Sequence, residues 1–102
     1  MSGTKDKTYL GTELKYKVTI TASGFSMDDD DWSVTISRGK ISKSFPKSEC
    51  IHGEDGWYVC FDTSELGAGQ YIATITALVP DDDFPDGFRT EVQKITLPLV
   101  EQ

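Results

Sequence analysis

The sequence predicts an all-β protein, an antiparallel immunoglobulin-like sandwich of about seven strands with no substantial helix. Three observations point there. Apolar and polar residues alternate with a period of two, as in "LKYKVTITA" (14–22), the pattern of a strand with one buried face. Such segments are short and are punctuated by Gly, Pro and Asp, which is the spacing of a sandwich. No window carries a helical apolar stripe. "DTSELGAG" (62–69) offers one capped turn at most, with Thr63 or Ser64 as cap and Gly67 and Gly69 as stops.

In order along the chain, 14–22 turns Leu14, Tyr16, Val18, Ile20 and Ala22 to one side. "DWSVTISRG" repeats the scheme with Trp32, Val34 and Ile36 inward. Gly39 then turns the chain into "KISKSF", a shorter and more polar edge strand. "GWYVCFD" sets Trp57, Val59 and Phe61 against Tyr58 and Cys60, and "GQYIATITALV" sets Tyr71, Ala73, Ile75 and Ala77 against Ile72, Thr74, Thr76 and Leu78. The last strand, "FRTEVQKITLPLV", alternates less cleanly, and Pro98 belongs at an edge or strand end because it has no N–H to donate. The expected core is Val18, Ile20, Trp32, Val34, Ile36, Val59, Phe61, Tyr71, Ala73 and Ile75. Leu66, Gly69 and Tyr71 also fit the corner of immunoglobulin-like sandwiches, in which a tyrosine hydroxyl bonds back to loop backbone. The alternative is that Tyr71 is a plain core aromatic.

The 102 residues form one expected domain, 1–102, with 1–7 as a flexible segment. Hydrophobic residues make up 37% and charged residues 26%, and the net charge is −7. That charge argues against nucleic acid and anionic membranes as partners, since both need a basic face. "MSGTKDKTYL" begins with Met and has no apolar segment after its lysines. The expectation is therefore a complete product without a signal peptide, kept in the cytoplasm. Cys50 and Cys60 are expected to be reduced there, although a hairpin centred on Asp55 would set them opposite one another.

Two aspartate runs stand out, "MDDDDW" (27–32) and "VPDDDFPDGF" (79–88). Asp81, Asp83 and Asp86, with Gly87 behind them, could offer hard oxygen ligands to calcium. The spacing is not an EF-hand, however, and no helices flank it. Aspartates also populate turns by bonding backbone N–H groups, and that reading is preferred. Catalysis has little to stand on, because His52 is the single histidine and Cys50 and His52 lack further partners. No cofactor is expected.

If strands alternate in direction, the loops 23–31, 46–56 and 80–87 share one end. They hold Asp28, Asp29, Asp30, Asp31, Glu49, Glu54, Asp55, Asp81, Asp82, Asp83 and Asp86, eleven of the seventeen carboxylates, with Lys47 as their one cation. The loops then carry −10 and the remainder +3. Asp28, Asp29, Asp30, Asp31, Glu54, Asp55 and Asp82 become candidates for an interaction surface. Such polarity favours head-to-tail contact between copies, weakened by salt. Mutual repulsion at that end should raise carboxylate pKa values and make the fold more stable as pH falls from 7 toward about 5.

Taken together, "GTELKYKVTI", "GFSMDDDDWSVTISRGKISKSF", "GWYVCFDTSELGAGQY" and "VPDDDFPDGFRTEV" resemble the small sandwich proteins encoded among virion structural genes of gut Bacteroidales phages and prophages. The similarity spans about residues 10–97 and is most distinctive in the acidic loop leading into Gly87-Phe88-Arg89-Thr90-Glu91-Val92. It implies a non-enzymatic tail, baseplate or fibre role, with other virion proteins or further copies of this chain as partners. The competing expectation is a carbohydrate- or calcium-dependent binding domain using the acidic loops. For sugar binding, a tryptophan face should lie exposed beside the carboxylates.

Overall fold

Period-two alternation builds two facing antiparallel sheets. The computed structural model describes residues 8–102; the segment 1–7, expected to be flexible, lies outside the described residues. In chain order the strands are β1 (Thr8–Tyr9), β2 (Glu13–Val18), β3 (Trp32–Arg38), β4 (Ile41–Pro46), β5 (Ile51–Gly53), β6 (Gly56–Asp62), β7 (Ile72–Pro80), β8 (Phe88–Thr96) and β9 (Val100–Glu101). One sheet has the order β2-β6-β5 and the other β4-β3-β7-β8, while β1 and β9 pair in parallel. The fold class is the expected all-β sandwich. The described residues form nine strands against the expected seven or so: six answer to the alternating runs, and β1, β5 and β9 are too short to show as such.

The inner layer is the one the alternation assigns. Val34, Ile36, Val59, Tyr71 and Ala73 are fully buried, and Val18, Trp32, Phe61 and Ile75 nearly so. Ile20 departs from the expectation, being only partly buried and outside any strand. The reason is the length of its neighbour: β2 pairs with β6, and Val18 already stands opposite Trp57, one residue from where β6 begins. Beyond Val18 there is no backbone left to pair with. The final segment likewise divides into β8 and β9, with Pro98 in the gap between them.

Cys50 and Cys60 are not opposite each other. The pairs Ile51–Tyr58, His52–Trp57 and Gly53–Gly56 close β5 and β6 through a two-residue turn at Glu54 and Asp55. That register carries Cys50 toward Val59, one residue short of Cys60. Both thiols are free.

At the other end of the sandwich Tyr71 forms the corner. Its hydroxyl lies 2.7 Å from the Gly67 carbonyl oxygen and 3.0 Å from that of Thr63. The turn Thr63–Glu65 is capped by Asp62 rather than by Thr63 or Ser64, since the Asp62 carboxylate accepts the Ser64 N–H at 2.9 Å and its hydroxyl at 2.8 Å. Thr63 faces inward instead and is fully buried, donating to the Thr12 carbonyl and accepting from the Gly11 N–H, both at 2.9 Å. Gly69, at φ +141°, lets the chain pass beneath Arg38; a Cβ there would meet Arg38 Cδ at 2.8 Å. The corner is therefore tied to β3 as well as to the turn that leads into β2.

The outer side of the four-stranded sheet has a different character. Strict alternation places Ser42 and Ser44 of β4, Ser33, Thr35 and Ser37 of β3, Ile72, Thr74, Thr76 and Leu78 of β7, and Phe88, Thr90, Val92, Lys94 and Thr96 of β8 on it. Lys94 is the one charge among them, in a chain that is 26% charged. On the inner side of β8, Glu91 and Gln93 remain exposed although they align with buried Ala77 and Ile75. Beside them lies not a strand but the irregular segment after β2, whose Ile20 and Thr21 border a small cavity with Ile75, Ala77, Glu91 and Gln93. That is why β8 alternates poorly in the sequence.

Candidate functional site

The first aspartate run folds as a capped turn. Asp30 accepts the Ser26 N–H at 2.8 Å through its carboxylate and returns its own N–H to the Ser26 carbonyl at 2.8 Å. The Asp29 N–H points to Ser26 Oγ at 3.3 Å, and Asp31 accepts the Trp32 N–H at 2.9 Å. Asp28 alone reaches across to another strand, where it accepts the Trp57 indole N–H at 2.8 Å and lies 3.4 Å from His52 Nε2. Each residue of "DDDD" but Asp29 thus has its carboxylate engaged by the protein.

Lys47 ties this turn down. Its ammonium donates to the carbonyls of Asp28 at 2.8 Å and Asp30 at 2.9 Å, and stands 5.3 Å from the Trp57 ring centroid. It meets backbone oxygens rather than carboxylates, a role that charge counting does not anticipate. Beside it a groove is lined by Asp31, Pro46, Lys47, Ser48, Cys50, His52 and Trp57. His52 lies flat on Trp57, with centroids 4.2 Å apart and planes 2° from parallel, while Trp32 meets Trp57 edge-on at 5.4 Å. The imidazole thus occupies the indole face on which a sugar ring would stack, and Trp32 is 2% exposed. Burial, with Glu49 nearby, pushes the Cys50 thiol above its ordinary pKa. That is the wrong direction for a nucleophile, which needs thiolate.

The second run folds as the tip of the β7–β8 hairpin. The Asp81 N–H donates to the Gly87 carbonyl at 2.9 Å, and its carboxylate accepts from the Asp83 N–H at 3.0 Å and from Arg89 Nη1 at 2.7 Å. Asp81, Asp83 and Asp86 do not converge, and among the described residues no group of three or more His, Cys, Asp or Glu side chains is placed to hold a metal ion. Asp82, Asp83 and Asp86 are exposed. The loops do share one end: Asp28 meets Trp57, and the Leu78 N–H donates to Asp31 O at 3.0 Å, two residues short of the hairpin tip. Glu54 and Asp55 form the tight turn between β5 and β6 at the same end, where Asp55 accepts from the Tyr58 hydroxyl at 2.8 Å.

The pH expectation changes sign. The Tyr58 hydroxyl, with Lys17 behind it, holds Asp55 below the usual carboxylate range. The Ser64 backbone N–H and hydroxyl do the same for Asp62, and the Asp83 N–H followed by Arg89 for Asp81. A carboxyl whose folded pKa is depressed contributes stability above its unfolded pKa, about 3.9, and that contribution is lost as pH falls through the folded value. Stability should therefore stay level from pH 7 to about 5 and drop below about 4. Urea melts across this range check it; a midpoint that climbs on acidification to pH 5 would restore the repulsion picture.

No protein-family model matches the sequence, and no curated protein matches it. Among solved structures, one from Bacteroides vulgatus ATCC 8482, described as a "putative glycoside hydrolase", is similar over 96% of this chain at 18% identity, with a TM-score of 0.42. This chain spans 17% of that protein's length. So low a score assigns neither fold family nor activity. The virion role implied by the sequence resemblance has no support in these comparisons and is set aside.

Proposed function

We propose that this chain acts by binding rather than by catalysis, and that its partner is a protein segment added as a strand along the open edge of β8. The observation that carries this is the edge itself. β8 is nine residues long and pairs with β7 without a bulge from Phe88–Pro80 to Thr96–Ile72. Its outward row includes Phe88 at 46% and Val92 at 58% exposure. Sheet edges in stable proteins are usually short, bulged, charged or covered, because a long open edge recruits another strand. Two of the other edges follow that practice, β4 ending in Pro46 and β5 having three residues, whereas β8 is long and regular although it carries Arg89, Glu91 and Lys94. The nearly uncharged outer face beside β8 allows a partner to lie against the sheet without burying charge.

Extended peptides selected from a random library against the full chain test this reading. They are expected to bind along β8, shifting its amide resonances, and to lose binding in Thr90→Pro. Selected peptides that settle instead in the groove beside Trp57, indifferent to Thr90→Pro, would contradict it.

A further inference from the structure

The open edge of β8 is complementary to itself. We infer that the strand it receives is the β8 of a second copy, paired antiparallel about a twofold axis at Thr90; this rests on the reading that β8 takes an added strand. The ladder to β7 shows which groups are available. The Asp81 N–H donates to Gly87 O, and the Leu97 N–H donates to Tyr71 O, so the bonded pairs just beyond both ends of β8 fall on odd-numbered residues. In an antiparallel ladder the bonding side alternates residue by residue. Phe88, Thr90, Val92, Lys94 and Thr96 therefore turn their N–H and C=O groups away from β7, to a side on which no strand of the described residues pairs with them.

Residues directly opposite in a continuous sheet share a face, so a twofold axis must pass through a residue of β8 and not between two. An axis at Thr90 sets Arg89 opposite Glu91 of the second copy and Phe88 opposite its Val92. It also brings Lys94 level with the second copy's loop residue Asp86. Each contact occurs twice by symmetry. An axis at Glu91 opposes Glu91 to itself, and one at Arg89 opposes Arg89 to itself. An axis at Val92 sets Glu91 against Gln93 and Thr90 against Lys94, losing both charge pairs. Arg89 is already oriented for the favoured register, since Asp81 and its own Glu91 each hold the guanidinium at 2.7 Å on the inner side of the sheet. Opposite-charge and aromatic–β-branched pairs are the ones that stabilise antiparallel neighbours. The result is a closed dimer with a continuous eight-stranded sheet.

Sedimentation velocity of the full chain and its charge variants tests the register. Lys94 and Asp86 are used because Arg89 also serves Asp81 within the monomer. The unmodified chain should dimerise with concentration, and Lys94→Glu or Asp86→Lys alone should weaken the dimer about tenfold or more by juxtaposing like charges twice. The double variant Asp86→Lys/Lys94→Glu should recover it. An equimolar mixture of the two single variants should form a mixed dimer, in which both pairs are again opposite. Thr90→Pro should stay folded by circular dichroism, because its N–H faces out, yet remain monomeric. Failure of the double variant to recover, or a dimer that persists in Thr90→Pro, would overturn the register. A chain that stays monomeric at every concentration while still taking selected peptides along β8 would overturn self-pairing and leave strand addition standing; loss of both would overturn both.

Discussion

Ile36→Ala is expected to lower stability by about 2–5 kcal/mol, the range for emptying a buried aliphatic site. Ile36 has no exposed surface and sits at the middle of β3, between Lys43 of β4 and Ala73 of β7. Its neighbours on both flanks are fixed by ladder hydrogen bonds, so the sheet cannot close around the lost methyl groups. For a chain of this size a loss of 2 kcal/mol already lowers the melting temperature by roughly 10 °C. Urea denaturation measures the change, and the slope should stay constant if the mutation acts on the folded core alone. A loss below about 0.5 kcal/mol would mean that this position is not part of a packed interior.

Tyr71→Phe is expected to cost about 1–3 kcal/mol although it removes a single oxygen. The hydroxyl is buried and faces the carbonyls of Gly67 and Thr63. Those carbonyls close the 63–69 segment, whose Leu66 is itself 3% exposed. Without the donor the Gly67 oxygen is left with no phenol to replace water, and an unsatisfied buried acceptor costs more than an average hydrogen bond contributes. The same burial raises the phenol's pKa, so it remains a donor across the neutral range. Thermal unfolding of Tyr71→Phe beside wild type is the direct check. Equal stability would show that Tyr71 serves only as a core aromatic.

The sandwich was legible because its inner positions obey strict alternation in β3, β6 and β7, where both neighbours and the facing sheet are present. The tyrosine corner was legible from Leu66, Gly69 and Tyr71 for a local reason, since the donor and its acceptors lie within eight residues. What escaped was set by length and register between strands. β2 stops at Val18 because β6 begins at Gly56, and Cys50 misses Cys60 because the turn at Glu54 and Asp55 has two residues. Neither limit is written in the segment it affects.

The acidic end was located correctly and its electrostatics were not. Counting charges treats Asp28, Asp30 and Asp81 as repelling points, whereas the fold spends each on a specific donor: the Trp57 indole, the Ser26 amide and Arg89. Lys47 looked like a lone cation among carboxylates and is instead a clamp on two backbone carbonyls. The open β8 edge was hidden for a different reason. Its mixed pattern reads as a weak strand, and only the pairing shows that one side of it has no strand partner among the described residues.

The central claim is that the outward groups of β8 are the working surface. Amide hydrogen exchange, read residue by residue at rising protein concentration, measures it most directly. In dilute solution Thr90, Val92 and Lys94 should exchange quickly while Arg89, Glu91, Gln93 and Ile95, bonded to β7, exchange slowly. As copies associate, or when a selected peptide is added, the first set should slow and the second should barely change. Outward amides that stay fast at every concentration and with peptide bound would contradict the account.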